Sequence, residues 1–187
     1  MVLEINQVVI DGEENTFSMV APSGKLTCLT GGTAERRRRW LLTLLGFVPV
    51  RQGYVCIDGE PLEEQSLAAF RSLMAYAPAE LLTEGEVLRY EPPSIQDVFN
   101  LRANRHLAVS NGILAEEMRN TGCDMARYDV RLLAVAHLLQ REMLLVSGPP
   151  PDSADYLHRL AASGKVVVTE SDSPTFLERC DQIVELN

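Results

Sequence analysis

The chain has few lysines. Lys25 and Lys165 are the two present and every other basic residue is an arginine, so any chemistry that requires an ammonium group has two candidates. Positive charge is short overall: 17 basic against 26 acidic residues leaves a formal charge of −9, which opposes general affinity for nucleic acid or anionic lipid. Histidine occurs three times, at His106, His137 and His158, each isolated in sequence and read as structural or surface. The four cysteines, Cys28, Cys56, Cys123 and Cys180, make no CxxC pair and have no nearby histidine, so neither a zinc site nor a disulfide framework is expected. No apolar run approaches the roughly 20 residues that span a bilayer; the stretch from Trp40 to Val50 is broken by Thr43, Gly46 and Pro49. The first ten residues carry Glu4 and no basic cluster, and read as a strand rather than a signal peptide. The expectation is a cytoplasmic chain that is not membrane-embedded.

What is present suits one well-buried domain: 187 residues, of which 46% are hydrophobic and 23% charged. Short apolar runs at Leu3-Glu4-Ile5, Val8-Val9-Ile10, Phe17 to Val20 and Leu26 to Thr30 are separated by turn residues at Asp11-Gly12 and Pro22-Ser23-Gly24, and predict strands. Gly31-Gly32 follow, and then Trp40, Leu41, Leu44 and Leu45 recur at helical spacing, giving a strand, a glycine turn and a helix. Further strands are predicted at Gly53 to Gly59, Leu73 to Ala77, Met143 to Val146, Val166 to Thr169 and Gln182 to Leu186. Helices are predicted at Ser66 to Arg71, Tyr128 to Gln140, Ala154 to Ala162 and after Ser173, with Pro174 at the first helical position. Between Ala79 and Asp124 the texture changes to an acidic stretch with Glu80, Glu84, Glu86 and Glu91, then Pro92-Pro93, then weakly helical segments. Strands alternating with helices predict an α/β fold, a mostly parallel sheet flanked by helices with an N-terminal antiparallel portion.

Five connecting segments, in this order, resemble the nucleotide-binding domain of ABC transporters over nearly the whole chain. Pro22-Ser-Gly-Lys-Leu-Thr-Cys-Leu-Thr-Gly31 is similar to the strand entering the Walker A loop, and Trp40-Leu-Leu-Thr-Leu-Leu-Gly-Phe-Val-Pro49 to the helix leaving it. Gly53-Tyr-Val-Cys-Ile-Asp-Gly-Glu-Pro-Leu62 resembles the family hairpin, Arg71 to Pro78 the approach to the Q-loop, and Cys180-Asp-Gln-Ile-Val-Glu-Leu186 the last strand. The resemblance implies a P-loop NTPase-like fold, a single ABC-ATPase-like domain over residues 1–187 with a reduced helical subregion at about 80–124.

At the positions that do chemistry in that family the residues differ. A P-loop rings phosphate with backbone N–H groups, and needs glycines for the tight turn, a lysine for the terminal phosphates and a hydroxyl for Mg²⁺. Here the loop reads Gly31-Gly32-Thr33-Ala34-Glu35-Arg36-Arg37-Arg38, with Arg37 at the lysine position and Arg38 at that of the metal-binding hydroxyl. Ser147-Gly148 stand where the Walker B aspartate and glutamate are expected, Ala79 at the Q-loop glutamine and Glu170 at the switch histidine. Asp124-Met-Ala-Arg-Tyr128 replaces the LSGGQ signature, and Phe17 is the only aromatic near the adenine-stacking position.

These differences imply a degenerate, ATPase-inactive member of the family. No catalytic residue and no metal ligand is assigned, and no cofactor is expected, ATP included. The expected partners are a membrane permease subunit or an intact ABC ATPase, which would hold the chain peripherally at the inner membrane; the oligomeric state is left open. The alternative is a regulator that binds a nucleotide or phosphorylated ligand at the Arg36 to Arg39 helix start, with Gly31, Gly32, Thr33, Arg36, Arg37 and Arg38 as its anion site. A second alternative, a weak non-standard ATPase, would draw on Asp152 or Asp155. The plain reading of the same loop is that Thr33 caps an ordinary helix, Glu35 offsets the dipole and the arginines are solvated or paired with local acids. For Glu170 and Asp172 the expected role is likewise plain, with Asp172 or Ser173 capping the next helix.

Overall fold

A computed structural model describes residues 1–79 and 95–186. The acidic stretch from Glu80 to Glu91 and Pro92-Pro93 lie outside the described residues. In chain order the described elements are β1 (Val2–Ile10), β2 (Phe17–Pro22), β3 (Leu26–Thr30), α1 (Ala34–Leu44), β4 (Val50–Ile57), β5 (Glu60–Pro61), α2 (Leu67–Leu73) and β6 (Met74–Ala77). After them come α3 (Ile95–Asn100), α4 (Asn111–Asn120), α5 (Tyr128–Leu138), β7 (Met143–Val146), α6 (Ala154–Ala162), β8 (Val166–Glu170), α7 (Pro174–Leu177) and β9 (Gln182–Glu185).

The strands form two sheets. β2-β1-β4-β5 is antiparallel, and β6-β7-β8-β3-β9 is parallel throughout. Every residue of β7 and β8 is buried, as befits the middle of a parallel sheet covered on both faces. One face of that sheet packs through Leu145, Val166 and Val168 against the inward side chains of the antiparallel sheet and against Trp40, Leu41 and Leu44 of α1. The other face packs through Leu144, Val146 and Val167 against Leu133 of α5, Leu157 of α6 and Phe176 of α7. A third cluster joins Phe99, Leu114 and Met118 to Val130 and Ala134 of α5, so the helices after residue 95 have a core of their own.

The first ten residues form a strand, as expected. The two apolar runs before Asp11 form one strand, broken in pattern by a bulge between Ile5 and Val8 where Gln7 takes φ 49°. Gly53 lies across from that bulge, and a Cβ there would sit 2.3 Å from the Gln7 carbonyl oxygen. Among the described residues no helix is long and apolar enough to cross a membrane.

Candidate functional site

The start of α1 is set by local chemistry. Thr33 is the N-cap in extended conformation, and its hydroxyl accepts from the Arg36 amide at 3.1 Å. Helical spacing then turns Arg37 inward with Trp40, Leu41 and Leu44, while Arg36, Arg38 and Arg39 remain at the rim. Arg36 makes a two-pronged pair with Glu13, both prongs 2.8 Å, and Arg39 donates to the Asp11 carbonyl. Arg38 donates through Nε to the Ser147 hydroxyl at 3.4 Å.

Arg37 is 2% exposed. Its Nε donates to Glu170 Oε2 at 2.9 Å, its Nη2 to Asp172 Oδ2 at 2.6 Å, and its Nη1 to the carbonyls of Gly31 and Gly32 at 3.0 and 3.2 Å. Burial works against the guanidinium charge, but the hydrogen bonds to Glu170 and Asp172 outweigh it and raise the arginine pKa above its ordinary value. The expectation of a cap is therefore corrected for Asp172 and kept in position for Ser173, with Pro174 at the first helical position. Asp172 faces Arg37, and Ser173 occupies the N-cap position of α7 without a side-chain hydrogen bond to the helix. A buried guanidinium left without acids would be costly, and that need outranks a cap on a four-residue helix.

Glu170 is 3% exposed and its second oxygen is also satisfied. Oε1 accepts from the Gly148 amide at 2.6 Å and from the Ser147 hydroxyl at 3.1 Å. One carboxylate thus ties the start of α1, the end of β7 and the end of β8 together. Gly148 takes φ +52°, and a Cβ on it would meet the Ala79 Cβ at 2.6 Å, so the position next to Ser147 has no room for a side chain. Asp152 lies in the turn before α6, and Asp155 on α6 faces Arg179 at 3.4 Å; neither appears among the partners of the Arg37 cluster.

The start of α5 follows the same pattern on the surface. Asp129 accepts from the Val130 amide at 2.9 Å and from Arg127 Nε at 3.0 Å, and Asp124 accepts from the Ala126 amide at 2.9 Å. The Arg127 hydrogen bond lowers the Asp129 pKa. Phe17 is buried against Trp40, with ring centroids 4.6 Å apart.

Sequence reasoning missed a second carboxylate cluster. Glu117 of α4 accepts from Tyr156 of α6 and lies 2.8 Å from Nδ1 of His137 on α5, with Asn120 donating to its other oxygen at 3.3 Å. The His137 hydrogen bond, opposed by burial and aided by Tyr156, pulls the Glu117 pKa down to about 2.

Arginine cannot ligate Mg²⁺, Ser147-Gly148 rather than a carboxylate directly follow β7, and Glu170 brings negative charge to Arg37. Among the described residues no group of three or more His, Cys, Asp or Glu side chains is placed to hold a metal ion.

No family model matches the chain. In sequence it is similar to the molybdenum import ATP-binding protein ModC of Albidiferax ferrireducens, 24% identical over 172 residues that cover 86% of this chain and 43% of that protein. The chain therefore spans less than half the length of that curated relative. In structure it is similar to the ATP binding subunit of an ABC transporter, with TM-score 0.72, 17% identity, and 100% of this chain and 86% of that one covered. It is also similar to cbiO1 from Clostridium perfringens, part of the ABC transporter complex cbiONQ, with TM-score 0.66, 12% identity, and 98% and 83% of the two chains covered. The fold is that of an ABC transporter ATP-binding domain, as the connecting segments implied.

Proposed function

We propose that the chain is a degenerate relative of ABC transporter ATP-binding subunits, unable to bind or hydrolyse Mg-ATP in the family manner, which acts through protein contacts with a permease or another cassette. The observation that carries this reading is the buried Arg37–Glu170 pair. The side chain at the family's lysine position directs its donors to the side chain at the switch-histidine position, and both are closed to solvent. A phosphate chain entering there would have to displace a carboxylate bonded at 2.6 to 3.1 Å by three donors.

The contact reading is supported by a hollow of about 650 Å³ between the end of α1 and the start of α2, lined by Val48, Pro49, Leu62 and Leu67 and edged by Glu63 and Glu64. Beside it Phe47 is 62% exposed, with the Arg71 guanidinium 4.4 Å from its ring centre. In the ABC family a helix of the membrane subunit docks in a groove between the core and the helical region; this hollow, lined by residues between 43 and 67 of the core, is offered as a further apolar contact for such a partner.

The test has two arms. Thermal unfolding with and without Mg-ATP is expected to show no shift, and phosphate release no turnover above buffer. Co-expression with an ABC permease, chosen from the neighbouring genes where one is encoded there, is expected to bring the chain into the membrane fraction, and Phe47→Asp to release it. A Mg-ATP shift that disappears in Arg37→Ala and Arg38→Ala would favour the nucleotide-binding regulator instead. Hydrolysis lost on changing Asp152 or Asp155 would restore the ATPase reading.

A further inference from the structure

The groups around Glu170 have the composition of an anion receptor. A guanidinium Nε–H from α1, a backbone N–H from Gly148 and a hydroxyl from Ser147 converge on one carboxylate at 2.9, 2.6 and 3.1 Å. Each is a donor type that also holds a tetrahedral oxyanion. Arg37, Ser147 and Glu170 are each at most 3% exposed, so the contacts form in a desolvated site where charged hydrogen bonds are strong. Gly148 turns its N–H toward the carboxylate with a positive φ, and a Cβ on it would meet the Ala79 Cβ at 2.6 Å. The donors come from two parts of the chain separated by more than a hundred residues.

We propose that this is an oxyanion site whose permanent occupant is the chain's own Glu170. The carboxylate is delivered by β8, where Glu170 is in register with Leu29 of β3 and is not on a mobile loop. It therefore competes as a tethered ligand at high effective concentration, and inorganic phosphate or a phosphorylated metabolite cannot enter while it is in place. The same contact holds the ends of β7 and β8 and the start of α1 in one arrangement without any added ligand. The proposal rests on the reading of the chain as a non-hydrolysing relative, and adds what replaced the phosphate.

The test is to vacate the site. Glu170→Ala is expected to unfold at a lower temperature than wild type and to regain about 5–10 °C in inorganic phosphate at roughly a hundred times its dissociation constant. Sodium chloride at matched ionic strength is expected to give no such recovery, wild type no phosphate response, and the double variant Arg37→Met with Glu170→Ala none either. Should Glu170→Ala be insoluble, it is refolded from denaturant in phosphate or in chloride. Soluble chain recovered in phosphate alone supports the proposal, and failure in both overturns it. A folded Glu170→Ala that responds equally to phosphate and chloride overturns it too, as does a wild type stabilised by phosphate as strongly as the variant. None of these outcomes bears on hydrolysis, so they are distinguishable from the Mg-ATP arm of the test of function.

Discussion

Two carboxylates, Glu170 buried and Glu117 half-buried, organise this molecule, and they differ in the partner that neutralises them. Glu170 at the sheet end is held by a guanidinium, an amide and a hydroxyl, whereas Glu117 between the helices is held by an imidazole, a phenol and a side-chain amide. A guanidinium keeps its charge at any pH a protein survives. The sheet-end cluster is thus built on a permanent cation, whereas the interhelical one shows its pH dependence at Glu117, whose pKa the His137 hydrogen bond pulls down to about 2. Regions of one fold can use similar acids for different purposes: a constant anchor at the start of α1, and a clasp sensitive to acid where α4 meets α5 and α6.

The contrast is broken most sharply at Arg37. Arg37→Ala leaves Glu170 buried with a charge and no cation, and is expected to cost about 3–5 kcal/mol in urea unfolding. The double variant Arg37→Met with Glu170→Leu removes both charges and is expected to recover most of that loss. Equal destabilisation by the double variant would show that packing, not charge, holds the sheet ends.

At Glu117 the signature is acid dependence. Its folded-state pKa of about 2 lies below the ordinary 4.5, so the stability it contributes is present above pH 4.5 and is lost as pH falls from 4.5 through 2. The loss amounts to up to about 3 kcal/mol, and Glu117→Gln is expected to flatten that part of the acid limb. Arg37→Met with Glu170→Leu is expected to leave the Glu117 contribution to that limb in place, since the two clusters share no residue.

A third test asks whether an acid after β7 could be restored. Gly148→Glu forces a side chain onto a residue with φ +52° against Ala79, and is expected to cost about 2 kcal/mol or more without producing ATP turnover. The smallest effect is expected on the surface. Arg127→Ala breaks a pair whose arginine is nearly half exposed, and should cost no more than about 1 kcal/mol, shrinking further in salt.

Much of the fold was legible because its signals are local. Glycine pairs, a threonine cap and helical spacing marked the turn from β3 into α1, and unbroken apolar runs marked β7 and β8. The first ten residues read as a strand, but its bulge was not legible, since nothing local marks that Gln7 takes φ 49°. At the site the residue types were readable but their partners were not. Glu170 and Asp172 lie 133 and 135 residues from Arg37, so no window of sequence could tell a cap from a counter-ion. His137 read as structural from its apolar surroundings, yet its tie to Glu117 and Tyr156 crosses three helices and needed the packed core to appear.

The contact between Gly148 and Ala79 has a consequence over generations as well as in energy. Any lineage carrying this backbone meets a barrier on the path toward an acid at position 148, since the glycine's turn and its neighbour would have to change together and the first step alone is harmful.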